Sequence, residues 1–350
     1  MIPTHNIGWD IGGAHVKAAV LGSSGEITGI FQQPCPLWKG LEYLRHAVSA
    51  IMQTLPQGPY RHAVTMTGEL VDLFSSREEG VRQIIDTMKQ LLGGNDILIF
   101  AGKYGLLDSM QINVEHYQAI ASANWLASAC FAAQKTGNGL FVDIGSTTTD
   151  ILLLNNGEVR ATGYTDYQRL ISRELVYTGV VRTAVMAVVQ TAVDGGREVG
   201  IMAEYFATMA DVYRLTGELN ETHDQTETAD GAEKTPVASA RRLSRMIGCD
   251  FYPDELPRWR QFAENIRAQQ LQKIQSACEH VAAPAGISKS NPFIGAGVGR
   301  FLVKQLAQQL VCSYLDFSEL CTCSLTQTDM APADCAPAVS VAYLLFDVSR

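Results

Sequence analysis

A chain of 350 residues, 47% hydrophobic and 18% charged with 30 glycines, has a folded protein's composition and room for one large or two ordinary domains. Its formal net charge of −9, without a Lys/Arg-dense patch, argues against nucleic acid as a partner. The start, "MIPTHNIGWDIGG", has neither a basic nor an apolar leader segment, so a cytoplasmic protein with no membrane association is expected.

The first predicted element is "WDIGGAHVKAAVL" (9–21): a strand, a turn at Gly12 and Gly13, and a second strand. Apolar residues at Leu41, Leu44, Val48, Ile51, Met52 and Leu55 predict an amphipathic helix, as do Val81, Ile84, Ile85, Met88 and Leu91. "DILIFAG" (96–102) reads as a buried strand. The longest uncharged stretch, Tyr117–Gln134, is broken by Gln118, Ser122, Asn124 and Ser128, and reads as a buried small-residue helix rather than a membrane span.

"VDIGSTTTDILLL" (142–154) then repeats the opening pattern: Asp143 matches Asp10, Gly145 matches Gly12, and both copies run into an apolar strand, a turn and a Gly-Glu step. Two copies at this long spacing indicate a duplicated domain rather than a solenoid. Each Asp ends a buried strand, each Gly permits a turn whose N–H groups can face an anion, and Ser146, Thr147 and Thr148 add hydroxyl donors. Asp10 and Asp143 are accordingly candidate ligands for a divalent cation.

Helices are predicted over 165–193, 197–217, 236–248, 255–282 and 300–312, with the polar segment "NETHDQTETADGAEKTP" (220–236) reading as a solvated loop or as a lid. "PFIGAGVGRFLVKQL" (292–306) is a strand, a turn at Gly295, Gly297 and Gly299, and a helix, suited to close approach of a phosphate. It lacks the βαβ context of a Rossmann site. "PAVSVAYLLFDVS" predicts a terminal helix returning to the first domain. The expected domains are thus 1–137 with about 337–350 packed back on it, and 138–336. The cysteines Cys312, Cys321, Cys323 and Cys335 cluster without a zinc-knuckle spacing and read as reduced thiols.

Together, "DIGGAHVK", "DIGSTTTD" and "IGAGVG" resemble the two phosphate motifs and the adenosine motif of the actin/hexokinase/heat-shock-protein-70 superfamily. The resemblance implies an α/β fold of duplicated RNase-H-like domains with a ligand cleft between them, and gives Lys17 the place of a phosphate-contacting lysine. "MTGELVDLFSSREEGVRQI" (66–84), "ASANWLASA" (121–129), "GYTDYQRLISRELVYTGVVRT" (163–183), "AEYFATMADVYRLTGEL" (203–219) and "HDQTETADGAEKTPVASARRLSRMIGCD" (223–250) resemble the hydantoinase/oxoprolinase-related group of tetrahydromethanopterin-linked C1-transfer proteins. That resemblance spans about residues 5–346. It implies an ether-forming transferase of methanofuran or methylofuran biosynthesis, joining an aminomethylfuran-methyl diphosphate to the phenol of γ-glutamyltyramine with release of diphosphate.

On this reading Mg²⁺, Lys17 and the two turns neutralise the leaving diphosphate, and a base takes the phenolic proton. Candidates for the base are Asp150, which ends the second turn or bonds within it, Asp211 and Glu204, placed seven apart on one predicted helix, and Asp166. Arg173 and Arg182, with Arg169 at near-helical spacing, suit a diphosphate clamp or structural ion pairs. Thr226 and Lys234, with Asp230, are the contacts a lid would supply. The alternative is an ATP-dependent small-molecule kinase or another ATP-using enzyme of the same fold, which would bind ATP through Gly295, Gly297 and Gly299. The sequence is compatible with a homo-oligomer and sets no oligomeric state.

Overall fold

Strands β1 (His5–Ile11) and β2 (His15–Leu21) form an antiparallel hairpin, and β3 (Ile27–Pro34) adds to β2. This is a computed structural model that describes residues 5–93, 96–283, 291–325 and 330–348; residues 1–4 at the start of the quoted leader reading, and 349 and 350 at the end of the predicted terminal helix, lie outside them. Helix α1 (Leu41–Thr54) leads to β4 (Tyr60–Met66), and α2 (Arg77–Leu91) to β5 (Ile97–Phe100) and β6 (Leu106–Asp108). Next come α3 (Val114–Ile120), α4 (Asn124–Thr136), β7 (Gly139–Ile144), β8 (Thr149–Asn155), β9 (Glu158–Val159), α5 (Asp166–Ser172) and β10 (Leu175–Val176). They are followed by α6 (Val185–Val188), β11 (Thr191–Asp194), β12 (Arg197–Gly200), α7 (Met209–Thr216), α8 (Pro236–Arg245) and α9 (Leu256–Ala282). The chain closes with β13 (Phe293–Ala296), α10 (Arg300–Gln309), β14 (Tyr314–Asp316) and α11 (Ala336–Val348).

Two sheets share one plan. The first runs β3–β2–β1–β4–β5–β6, and the second β10–β8–β7–β13–β14 with β9 also on β8. In each, the strand that opens the hairpin pairs in parallel with a later strand: β1 with β4, and β7 with β13. The turns after β2 and β8 also match, through Gly25 (φ 87°) and Gly157 (φ 78°), each in a left-handed conformation that glycine adopts without steric cost. This is the duplicated RNase-H-like arrangement of the actin-like α/β fold.

The chain divides into two compact units, one of residues 1–139, 153–169 and 315–350, the other of 140–152 and 170–314. In the first unit β1 is buried from Asn6 to Ile11, as a strand covered on both faces must be. Leu44, Val48 and Ile51 of α1 and Ile84, Ile85 and Met88 of α2 join Ile7, Trp9 and Ile11 in one core. Helix α11 packs on β1 so closely that a Cβ on Gly8 would lie 2.0 Å from the Ala338 carbonyl oxygen, and Phe131 of α4 stacks on Tyr343 at 4.8 Å.

Three expectations need correction. The segment 165–193 is not one helix: α5 ends at Ser172, short elements β10 and α6 follow, and β11 begins at Thr191. Likewise 197–217 is β12, a bend and the short α7; Asp194-Gly195-Gly196 closes a β11–β12 hairpin, with both glycines at positive φ. The stretch 117–134 is two helices parted at Ser122, whose φ of 51° interrupts the helical path. Among the described residues, no helix is long and apolar enough to cross a membrane.

Candidate functional site

Each unit carries one turn of the same build. In the first, the Gly12 N–H donates to the His15 carbonyl at 2.9 Å; in the second, the Gly145 N–H donates to the Thr148 carbonyl at 2.8 Å. A Cβ at Gly12 would sit 2.9 Å from that same His15 oxygen, so the closed turn excludes a side chain there.

In the first unit, Asp10 stands directly opposite Lys17 across the hairpin, which puts both side chains on one face. Asp10 is buried, and its Oδ1 accepts from Asn124 Nδ2 at 3.3 Å. Lys17 Nζ donates to the Asp334 carbonyl at 2.6 Å. Gly13 and Ala14 are pinned by their carbonyls, which accept from the Leu37 and Cys35 N–H groups at 3.0 and 2.7 Å. The end of β4 adds a further support: the Thr67 N–H donates to the Ile11 carbonyl at 3.0 Å, and a Cβ on Gly68 would lie 3.1 and 3.2 Å from the Ile11 and Gly12 oxygens.

In the second unit, Asp143 and Gly145 to Thr148 are all half-buried, so the turn keeps a surface on which a ligand can sit. Arg182 is brought to this turn twice. Its N–H donates to the Ser146 carbonyl at 2.8 Å, and its Nη1 donates to Thr147 Oγ1 at 3.4 Å. Thr183 Oγ1 donates to the Thr147 carbonyl at 3.1 Å and accepts from the Gly179 N–H at 2.8 Å. Gly179 is itself essential to this packing, since a Cβ there would lie 2.4 Å from the Thr147 nitrogen. Asp150 leaves the turn on β8 opposite Leu175 of β10.

The three glycines of the third motif have separate tasks. A Cβ on Gly295 would strike the Tyr314 ring at 2.7 Å. Gly297, at φ 79°, leaves room for Asp143, whose Oδ1 would be 2.3 Å from such a Cβ. Gly299 donates its N–H to the Ile144 carbonyl at 2.8 Å. Gly297 and Gly299 are thus brought to the end of β7, where the second turn begins.

Other candidates sit elsewhere. Asp211 is not a loose carboxylate: it caps α7 through the Thr208 N–H, and its Oδ1 accepts from Ser239 and Arg242 at 2.7 and 2.8 Å, with Arg214 at 3.5 Å. Glu204 is exposed in the bend before α7 and does not share a helix with Asp211, because the helix starts only after the Thr208 cap. Arg173 is exposed at φ 60°, immediately past α5. The 220–236 segment is more tightly held than a solvated loop: His223 and Asp224 are buried, and Asp224 binds Arg214 at 2.7 Å and Lys234 at 3.2 Å. Thr226 Oγ1 also donates to Asp224, at 3.2 Å. Asp166 pairs with Arg77 and lies 3.3 Å from Ser122 Oγ, which also bonds Glu69 Oε1 at 2.8 Å. Burial raises the Glu69 carboxyl above its ordinary range. Glu69, Ser122, Asn124, Gly179 and Thr183 were not read as site residues from sequence, Ser122 and Asn124 having been read only as polar breaks in a buried helix; their signals were the quoted stretches "MTGEL", "ASANW" and "YTGVVRT".

Among the described residues there is no group of three or more His, Cys, Asp or Glu side chains placed to hold a metal ion. Each unit instead offers a strand-end carboxylate, Asp10 or Asp143, and this donor set fits Mg²⁺, which is commonly bound through one or two carboxylates together with substrate phosphates and water. All eight cysteines are free thiols.

The family model described as hydantoinase/oxoprolinase matches residues 61–337. A protein of Methanocaldococcus jannaschii named (4-{4-[2-(gamma-L-glutamylamino)ethyl]phenoxymethyl}furan-2-yl)methanamine synthase is 29% identical over 303 residues, covering 85% of this chain and 87% of its own. A Methanococcus vannielii protein of the same name is 31% identical over 113 residues, 32% of this chain and 50% of its own. Among solved structures, the nucleotide-free acetone carboxylase matches with a TM-score of 0.56 at 10% identity, covering 97% of this chain and 70% of that one, a likeness of fold.

Proposed function

The chain belongs to the hydantoinase/oxoprolinase family, and from that premise we propose that it is a synthase that joins an aminomethylfuran-methyl diphosphate to the phenol of γ-glutamyltyramine. The phenolic oxygen forms a bond to the furfuryl methylene carbon, the bond from that carbon to the diphosphate oxygen breaks, and the phenolic proton goes to a base. The products are the aryl furfuryl ether and diphosphate. The observation that carries this reading is the 29% identity, extending over 85% of the chain, to a synthase named for such an ether.

The residues of each turn support it. Diphosphate departs with its charge, so the barrier falls where fixed donors and cations meet that charge without reorganising. In the second unit, Arg182 lies against Thr147 within a half-buried row of Ser and Thr hydroxyls, a donor set suited to phosphate oxygens. In the first, Lys17 stands across from Asp10 beside a turn held from three sides. Asp10 or Asp143 would hold Mg²⁺, which when bound supplies further neutralisation of the leaving group. Thr147 and Arg182 then bind and orient the diphosphate, and Asp150, at the end of the same turn, accepts the phenolic proton.

The test is a product assay with the furan diphosphate, γ-glutamyltyramine and Mg²⁺, following diphosphate release and the mass of the coupled product, beside a reaction with ATP alone. Ether formed without ATP is expected. ATP turnover with no ether would overturn the proposal in favour of a kinase or related ATP-using enzyme.

A further inference from the structure

Below the first turn lies a cluster that the reaction above leaves without a task. Ser122 Oγ is 2.8 Å from Glu69 Oε1 and 3.3 Å from Asp166 Oδ2. A serine hydroxyl has one proton to give and lone pairs to accept with. It can therefore hydrogen-bond both carboxyl groups only if one of them donates to it. Arg77 forms an ion pair with Asp166, not with Glu69. Glu69 is 1% exposed, and its Oε2 has no hydrogen-bond partner. A charge left there would be buried with an oxygen unpaired, whereas a neutral carboxyl leaves only a carbonyl-type oxygen. The proton therefore belongs to Glu69, in the order Glu69 carboxyl to Ser122 hydroxyl to Asp166 carboxylate to Arg77.

The cluster also has a mechanical connection to the turn. Glu69 follows Gly68, which packs against the Ile11 and Gly12 carbonyls. Ser122, held at φ 51°, lies two residues before Asn124, whose amide donates to Asp10. We propose that the two carboxyls, Glu69 and Asp166, bridged by the Ser122 hydroxyl, hold one proton between them that rests on Glu69, and that the neutral Glu69 is a positioning residue, fixing the Ser122–Asn124 segment and through it the Asp10 carboxylate. The charged groups facing Glu69 are Arg77 of α2 and Asp166 of α5; the remaining influences are burial, the Ser122 hydroxyl and its own backbone. Because burial raises the Glu69 carboxyl, the arrangement holds at lower pH and comes apart as rising pH removes the proton.

The test uses the full chain and Glu69→Gln, a neutral isostere, with Glu69→Ala beside it. Infrared difference spectra of the wild type at neutral pH should show the carbonyl stretch of a protonated carboxyl, missing in Glu69→Gln; its absence from the wild type would overturn the proposal. With ¹⁵N-asparagine labelling and Asn124→Ala for assignment, the Asn124 side-chain amide signals should shift in the wild type as pH rises, and stay fixed in Glu69→Gln. They should already be displaced in Glu69→Ala. Equal behaviour of wild type and Glu69→Gln would overturn the positioning role. On the function proposed above, affinity for Mg²⁺-diphosphate should also fall roughly tenfold over the same pH rise in the wild type, relative to Glu69→Gln, as expected for loss of about one hydrogen bond at Asp10. If neither protein binds diphosphate at any pH, that function falls, while the infrared band and the Asn124 signals still decide the present proposal.

Discussion

Gly297→Ala is expected to damage the second unit through two separable costs. Gly297 sits at φ 79°, and the new Cβ would lie 2.3 Å from both Asp143 Oδ1 and the Ile144 carbonyl oxygen, and 2.6 Å from the Ile144 carbonyl carbon. The left-handed backbone costs an alanine about 1–2 kcal/mol. The carboxylate oxygen can move aside, but the Ile144 carbonyl belongs to the end of β7, so the backbone must shift, at roughly 1–3 kcal/mol more. At about 2–4 °C for each kcal/mol in a domain of this size, a total of about 3 kcal/mol lowers the melting temperature by roughly 6–12 °C. Gly195→Ala is the control: it has φ 55° and nothing within 4 Å of the new Cβ, so only the conformational cost applies, and the shift should be about half as large. Scanning calorimetry of the three proteins measures both, and calorimetric titration with Mg²⁺-diphosphate reports whether displacing Asp143 weakens the turn. A Gly297→Ala protein no less stable than Gly195→Ala would refute the close approach of this glycine to the end of β7.

Other expectations concern pH, charge and thiols. His62 is buried, accepts from Trp9 Nε1 at 3.2 Å, and is pushed down to about 4 chiefly by burial. The unfolded chain takes up a proton near pH 6.5 that the folded chain refuses until about 4, so stability present above that range falls by about 3 kcal/mol on acidification through it. Urea midpoints at neutral pH and near pH 5 should show about 2 kcal/mol of this loss in the wild type and much less in His62→Gln. Arg242→Ala removes a fully buried guanidinium from Asp211, and should cost about 3–5 kcal/mol in urea unfolding, with partial recovery when Asp211→Ala is added. Iodoacetamide should label exposed Cys323 first, while Cys35 and Cys278, whose thiols burial pushes up to about 12, should resist until denaturant is added; early labelling of either, followed by mass spectrometry, would contradict the packing.

The two phosphate-type turns were legible because their signal is local: an Asp-x-Gly at a strand end, followed each time by an apolar strand. The long amphipathic helices were legible for the same reason, and α8, α9 and α10 lie where their periodicity placed them. The region 165–217 was misread because runs such as "VVRTAVMAVVQTAV" satisfy a buried helix and a buried strand alike. Asp194-Gly195-Gly196 was the turn signal that would have separated them. Asp211 and Glu204 looked equivalent by spacing, yet a Thr208 cap between them starts the helix, and Arg242, distant in sequence, engages only Asp211. Asn124 and Glu69 lay inside the quoted stretches "ASANW" and "MTGEL", but nothing local marked these two positions within them: their meaning comes from Asp10 and Ser122, more than fifty positions away in each case.

The contact of α11 with β1 sets a timetable for synthesis. Gly8 emerges from the ribosome early, but the helix that covers it arrives about 330 positions later, at Ala338. The other unit has all its residues by Tyr314. The usual amino-terminal-first order of co-translational folding is therefore inverted here: the later-starting unit can close while β1 still awaits its cover. A nascent chain stalled just before Ala336 should carry a protease-resistant second unit together with an amino-terminal strand that proteases still cut, and β1 should become protected only when α11 has been released.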